Sequence, residues 1–140
     1  MSEVRKRQFT RIPVSRRVLL DFQGKRYGPC RLKDLSLGGL FVYSRFAEQE
    51  GACCLVTLTQ KGRGLNLIIK AAGRVVRGDR EGMAIEFTSM ATDSYMSLQT
   101  MLLYSAEDPF SLSLEFPVDD CPFTLTEIAP AKPKQIRAAQ

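Results

Sequence analysis

The sequence predicts a mainly β fold, namely a six-stranded antiparallel β-barrel followed by a C-terminal α-helix. Short β-prone segments are separated by turn residues at regular intervals, which is typical of a barrel that leaves no strand edge unpaired. After these segments in the sequence, apolar residues recur at helical spacing over residues 91–104. The six predicted strands are residues 15–22, 27–35, 40–43, 52–59, 65–77 and 83–87.

The first two predicted strands form a hairpin. Val18, Leu20 and Phe22 occupy alternate positions, so one face of the first strand is apolar. Residues 23–26 offer a turn between the two strands. A Gly-Pro pair at residues 28–29 cannot join a regular strand ladder, and it predicts a bulge or an edge at the start of the returning strand.

The later segments predict a bent strand and one amphipathic helix. The sequence Ala-Ala-Gly at residues 71–73 interrupts the fifth strand and predicts a bend at a barrel corner. Thr92 or Asp93 is expected to cap the helix, since either side chain can accept from free amides of the first turn. The apolar residues at helical spacing are Tyr95, Leu98, Met101, Leu102 and Tyr104. The core face of the helix is predicted to include Met96, Met101 and Leu102.

The chain is expected to divide into three regions. Residues 1–14 form a basic N-terminal arm, and residues 15–104 form the barrel and its helix. Residues 105–140 form a C-terminal extension that is partly flexible, with fraying from residue 129. Within this extension, a half-buried strand is predicted from apolar residues that alternate with polar ones, namely Phe110, Leu112, Leu114 and Phe116.

The charge of the chain favours anionic partners. Lys and Arg number 20 against 15 Asp and Glu, so the formal net charge is +5 at pH 7. Glu3 is the only acid among the first 17 residues. The cations that crowd this segment are Arg5, Lys6, Arg7, Arg11, Arg16 and Arg17.

Composition also sets expectations about compartment and metals. No segment resembles a signal sequence or approaches the ~18 apolar residues of a membrane helix, so a cytoplasmic protein without membrane insertion is expected. The chain has no histidine, and its four cysteines lack C-x-x-C spacing, so no metal site is expected.

Two short motifs carry more specific information than the overall composition. Residues 7–11 (RQFTR) have the spacing R-x-x-x-R, and residues 34–39 (DLSLGG) have the spacing D-x-S-x-x-G. Taken singly, the first is equally typical of a solvated basic tail and the second of a turn. Together and in this order they resemble the PilZ domain family. Residues 73–77 and 82–87 look like later strands of that family, so the resemblance covers about residues 5–104.

The resemblance implies a receptor for cyclic di-GMP, with no other cofactor. The family's motif positions are occupied here by the expected ligand-binding residues Arg7, Arg11, Asp34, Ser36 and Gly39. In this family the residue before R-x-x-x-R, here Lys6, influences whether one or two ligand molecules are held. Arg5 and Arg74 are further candidates for ligand contacts.

The chemistry of the ligand suits these residue types. Guanine presents O6 and N7 as adjacent acceptors for an arginine fork, and its N1–H and N2–H₂ donors suit a carboxylate such as Asp34. Adenine would leave that carboxylate unpaired. Ser36 can bind a base or a phosphate oxygen, and Gly39 lets the ligand approach bare backbone. The arm is expected to be mobile without ligand and ordered with it.

Three other functional classes are alternatives to a cyclic di-GMP receptor. An enzyme is not expected, because histidine, a nucleophile elbow and a phosphate loop are all missing. A small basic barrel that binds single-stranded nucleic acid would need aromatic residues interleaved with Lys and Arg on one sheet face, which the sequence does not suggest. A third alternative is a PilZ-like adaptor that has lost its ligand. The downstream protein, in motility, polysaccharide or secretion, and the choice between monomer and homodimer stay open.

Overall fold

The computed structural model contains the six predicted strands, the predicted helix and two further elements. It describes residues 9–45, 48–62, 65–117, 121 and 123–126. The elements are β1 (Arg17–Phe22), β2 (Lys25–Leu35), β3 (Gly39–Tyr43), β4 (Cys53–Gly62), β5 (Leu65–Gly78), β6 (Gly82–Ala91), α1 (Thr92–Ser105), α2 (Pro109–Ser113) and β7 (Thr124–Thr126).

The first six strands close into an antiparallel barrel. Their order is β3-β2-β1-β4-β5-β6, and β3 also pairs with β6 in register from Gly39↔Glu86 to Tyr43↔Gly82. The predicted fold class is therefore confirmed. β7 was not predicted; it adds to β6 as a parallel strand, with Ser89 opposite Thr124.

The hairpin of β1 and β2 has a tighter turn than the sequence suggested. Gln23 and Gly24 both have positive φ angles, 56° and 95°, and they alone connect the two strands. Such a two-residue turn matches the twist of a hairpin. The β1–β2 register shifts between Val18 and Leu20, opposite residues 28–29. The bulge predicted from the Gly-Pro pair is thus confirmed.

The core fills the barrel and continues under α1. Leu98, Met101 and Leu102 are fully buried where α1 packs against β5 and β6. The prediction of Met96 on the core face is wrong: it is 61% exposed, because five residues separate it from Met101 and place it on another side of the helix. Tyr104 is exposed as well. The expected cap at Thr92 or Asp93 is wrong, because Ala91 occupies the N-cap and no side chain bonds there. The reason is that β6 runs directly into α1, so no loop residue lies between them.

The strand predicted over residues 110–116 is also wrong, because the chain forms α2 there. Asp108 caps this short helix: its Oδ1 accepts from the Ser111 amide at 3.2 Å and its Oδ2 from the Ser111 hydroxyl at 2.7 Å. This local capping competes successfully with the alternation of apolar residues. Only Leu112 is buried, whereas Phe110 and Leu114 are exposed.

Part of the predicted arm lies on the barrel. Ile12 forms an antiparallel bridge with Leu35, donating to its carbonyl at 2.8 Å and accepting from its amide at 2.9 Å. Ile12 and Val14 are both buried in the core. Residues 1–8 lie outside the described part of the chain. Within the described ranges, no helix is both long and apolar enough to cross a lipid bilayer.

Candidate functional site

The loop between β2 and β3 carries the D-x-S-x-x-G motif and is held by its own hydrogen bonds. The Ser36 amide donates to the Gly39 carbonyl at 2.9 Å. The Ser36 hydroxyl accepts from the Gly38 amide at 3.2 Å and donates to the Gly39 carbonyl at 3.4 Å. Ser36 is buried, so its hydroxyl braces the loop in the structure described here.

Glycine at position 39 is required by the neighbouring strand. A Cβ on Gly39 would lie 2.2 Å from the carbonyl oxygen of Ile85 on β6, well inside contact distance. The Gly38 carbonyl also accepts from the Phe87 amide at 2.9 Å, and the Phe9 ring lies 3.5 Å from where a Gly38 Cβ would be. The motif therefore fixes this loop to β6 at the closure of the barrel.

Arg11 and Asp34 form an ion pair beside this loop. Because the bridge between Ile12 and Leu35 is antiparallel, Arg11 and Asp34 are diagonal neighbours on the same face, and Arg11 Nη1 lies 3.3 Å from Asp34 Oδ1. The two side chains are 34% and 17% exposed. Arg11 Nε is buried and has no hydrogen-bond partner among the described residues. The pair thus combines a carboxylate with an unsatisfied donor.

A cleft of about 560 Å³ opens between this loop and strands β5 and β6. Three of the predicted site residues, Arg11, Ser36 and Gly39, line it, and Asp34 reaches its edge through Arg11. The predicted Arg5, Lys6 and Arg7 lie outside the described residues. The full lining is Phe9, Arg11, Ser36, Gly38, Gly39, Leu40, Val76, Ala84, Ile85 and Glu86.

Glu86 is a second carboxylate at the cleft that the sequence analysis missed. Arg74 Nε and Nη2 donate to its Oε1 at 3.3 and 3.2 Å, across the β5–β6 ladder. Both side chains are about half exposed. Arg74 is therefore neutralised by Glu86 in the structure. The alternation of buried and exposed residues near Glu86 in β6 places its side chain on the outer face. No sequence pattern predicts that Glu86 lies opposite Gly39 at the end of the β2–β3 loop.

The C-terminal extension touches the R-x-x-x-R segment. The Thr10 amide donates to Glu115 Oε1 at 2.9 Å, and the Thr10 hydroxyl donates to Glu115 Oε2. Glu115 is the second residue after α2, and Thr10 directly precedes Arg11. Nothing in the sequence indicates this contact, because the two residues are 105 positions apart.

Aromatic and cationic side chains do lie together on one sheet face, contrary to the sequence-based expectation. Arg31 lies over the Tyr43 ring, and Lys33 lies over the Phe41 ring. The interleaving runs across the neighbouring strands β2 and β3, so it cannot be seen along either strand alone.

The chain matches the sequence pattern of a known domain family. The model of the PilZ domain matches residues 5–104, which include both motifs. The chain belongs to the PilZ domain family. No curated protein sequence is significantly similar to it.

Two solved structures share the fold of this PilZ domain chain. The Bacillus subtilis inhibitor of motility, MotI/DgrA, superposes with a TM-score of 0.58 at 19% identity; the match covers 73% of this chain, and the chain spans about half (52%) of that protein. The PilZ domain of YcgR from Escherichia coli, solved with c-di-GMP, superposes with a TM-score of 0.55 at 18% identity. That match covers 79% of this chain and 94% of the other.

Proposed function

We propose that this chain is a cyclic di-GMP receptor or adaptor whose ligand occupies the cleft beside the β2–β3 loop. The observation that carries the proposal is the Arg11–Asp34 pair at the edge of a cleft lined by the D-x-S-x-x-G loop. Membership of the PilZ family supports it, as does the fold shared with the YcgR domain that was solved with c-di-GMP.

The pair offers the chemistry that guanine needs. Asp34 uses one oxygen for Arg11, and its other oxygen can accept from the N1–H and N2–H₂ groups of a guanine. Arg11 has a buried Nε without a partner, and an unsatisfied donor costs about 1–3 kcal/mol. A rearrangement that gave this donor a guanine or phosphate acceptor would recover part of that cost.

The remaining ligand contacts in the proposal come from the N-terminal motif. Arg7 supplies the second arginine fork, and Arg5 and Lys6 add positive charge for the two phosphodiesters. A lysine at position 6 brings charge without a planar fork, so the number of ligand molecules per site is part of what must be measured. Ser36 and Gly39 contribute by shaping the loop rather than by free side-chain groups.

Binding would alter the surface shown to a partner. Thr10 lies between the two motif arginines in the sequence and is hydrogen-bonded to Glu115. An arm that closes on the ligand would therefore displace the segment after α2. The proposed output is thus a change of surface that a downstream protein reads, in motility, polysaccharide or secretion, with no catalytic step.

Calorimetric titration with cyclic di-GMP, cyclic di-AMP and GTP tests the proposal. We expect cyclic di-GMP to bind with a Kd of about 0.1–10 μM and the adenine analogue to bind far more weakly. Arg11→Ala should lose at least about 2 kcal/mol of binding, whereas Arg26→Ala, which changes an exposed arginine in the hairpin, should bind like the parent protein. Equal affinity for cyclic di-AMP would contradict the guanine site, and no binding at all would favour the ligand-free adaptor.

A further inference from the structure

The outer face of β3 and of residues 31–35 of β2, with Arg17 beside it on β1 and residues 77–81 at the β5–β6 turn, carries more cations than acids. Three acids lie there among the described residues: Asp34, which is paired with Arg11, and Asp79 and Glu81. Glu81 Oε1 lies 3.5 Å from Lys33 Nζ. We call this surface the cationic face. Its six exposed cations are Arg17, Arg31, Lys33, Arg45, Arg77 and Arg80.

Two of these cations face each other directly. Arg17 on β1 is the cross-strand partner of Arg31 on β2, so both side chains leave the barrel on the same side. Like charges in this position repel, and neither arginine is paired with a carboxylate of the described chain. An anion bound between them would relieve this repulsion.

Aromatic rings hold the charged groups in place. The Arg31 guanidinium lies 5.0 Å from the Tyr43 centroid, and Lys33 Nζ lies 5.1 Å from the Phe41 centroid. Arg77 approaches the same Phe41 ring at 5.9 Å. Phe41 is only 3% exposed, so its ring is covered and cannot stack on a nucleobase. Tyr43 is partly exposed, but its ring is already in contact with the Arg31 guanidinium.

A groove of about 540 Å³ runs along this face. It is lined by Arg31, Arg45 and Arg80 together with Tyr43 and Glu81. None of the residues that line the ligand cleft lines this groove. A planar guanidinium binds a carboxylate through two parallel hydrogen bonds, so three arginines along one groove suit successive carboxylates of an extended chain.

We infer that the cationic face binds an acidic, Asp- and Glu-rich segment of a partner protein. Charge complementarity selects the sign of the partner, and the burial of Phe41 together with the Arg31–Tyr43 contact favours carboxylates over nucleobases. The groove on the cationic face shares no lining residue with the ligand cleft, so this binding does not depend on the proposed function. In the cell it would place a partner on the same barrel that senses the ligand.

An NMR titration of the full chain with a short poly-glutamate peptide, without cyclic di-GMP, tests this inference. Amide signals of the cationic face should shift. The double variant Arg31→Glu/Arg80→Glu should weaken peptide binding about tenfold or more. The matched control Arg26→Glu/Lys70→Glu changes the net charge equally at exposed positions off this face, and it should change peptide affinity less than about twofold.

Two further ligands separate the acidic segment from other anions. An oligothymidylate of equal charge and vesicles of phosphatidylglycerol and phosphatidylcholine are titrated in the same way. Tighter binding of either one than of the peptide would overturn the inference, as would absence of peptide binding or equal weakening by both double variants. Titration of the parent protein and both variants with cyclic di-GMP reports the ligand cleft separately, so the failure of one site is not mistaken for that of the other.

Discussion

The ligand cleft and the cationic face both contain arginines, but they use them differently. In the cleft, Arg11 is paired with Asp34 and Arg74 with Glu86, so donors and acceptors alternate. On the cationic face, Arg31 stacks on Tyr43 and faces another arginine. A surface with both donors and acceptors can discriminate guanine from adenine, whereas a surface with an excess of cations attracts anions in general. The net charge of the chain does not distinguish these two roles.

The largest expected effect comes from the glycine that fixes the floor of the cleft. Gly39→Ala places a methyl group against the Ile85 carbonyl oxygen, so β3 and β6 must separate where they close the barrel. We expect a loss of about 3 kcal/mol in the free energy of unfolding, measured by chemical denaturation. Gly38→Ala is the matched control, because its Cβ would lie at ordinary contact distance from Phe9, and it should cost less than about 1 kcal/mol. Equal losses would mean that the close approach to β6 does not explain Gly39.

The next largest effect is a loss of cyclic di-GMP binding without a loss of peptide binding, which distinguishes the ligand cleft from the cationic face. Asp34→Asn replaces an acceptor-only carboxylate with an amide whose NH₂ group opposes the guanine donors. We expect cyclic di-GMP affinity to fall about 30-fold, or about 2 kcal/mol, in calorimetry, with poly-glutamate binding unchanged. Asp93→Asn, an exposed substitution in the first turn of α1, should leave both affinities unchanged. A parallel loss of peptide binding would show that the two regions are one site.

A smaller effect tests why Arg74 lies at the cleft. Arg74→Ala exposes the Glu86 charge to an anionic ligand, and cyclic di-GMP affinity should fall about fivefold, or about 1 kcal/mol. Arg74→Ala/Glu86→Gln removes that charge and should restore most of the affinity. If the double variant binds no better than the single one, Arg74 contacts the ligand itself, as the sequence suggested.

The smallest effect concerns the contact between the arm and the C-terminal extension. Glu115→Gln weakens the hydrogen bonds to Thr10, which are solvent-exposed, so cyclic di-GMP affinity should change by about twofold or less. Amide exchange at Thr10 should nevertheless become faster. Glu107→Gln, an exposed change in the same extension, serves as the control. Unchanged exchange at Thr10 would show that this contact does not hold the arm.

The barrel could be predicted from the sequence because each strand carries its own local signal. The alternation of Val18, Leu20 and Phe22 fixes which side faces the core, and the Gly-Pro pair at residues 28–29 marks a bulge. β7 could not be predicted, because three residues are too few to show any period. α2 was missed because the cap from Asp108 is a local contact that overrides the apolar alternation after it.

The candidate site was only partly predictable. The motif residues Asp34 and Gly39 could be singled out, but the reason for Gly39 lies on β6, far along the chain. The pairing of Arg74 with Glu86 and the stacking of Arg31 on Tyr43 depend on strand register, which the sequence does not specify. The residue types are visible in the sequence, but which residues become neighbours across distant strands cannot be predicted from it.

The most direct test of the central claim is an NMR titration of the full chain with cyclic di-GMP. The account predicts that amide signals of Arg11, Asp34 and Gly39 shift first and saturate together, with a midpoint that matches the calorimetric Kd. Signals of Arg31 and Tyr43 on the cationic face should stay in place at the same ligand concentrations, and Asp34→Asn should move the midpoint of the cleft shifts to an about 30-fold higher ligand concentration. Shifts that begin on the cationic face, or a cleft that does not respond while the ligand binds, would contradict the account.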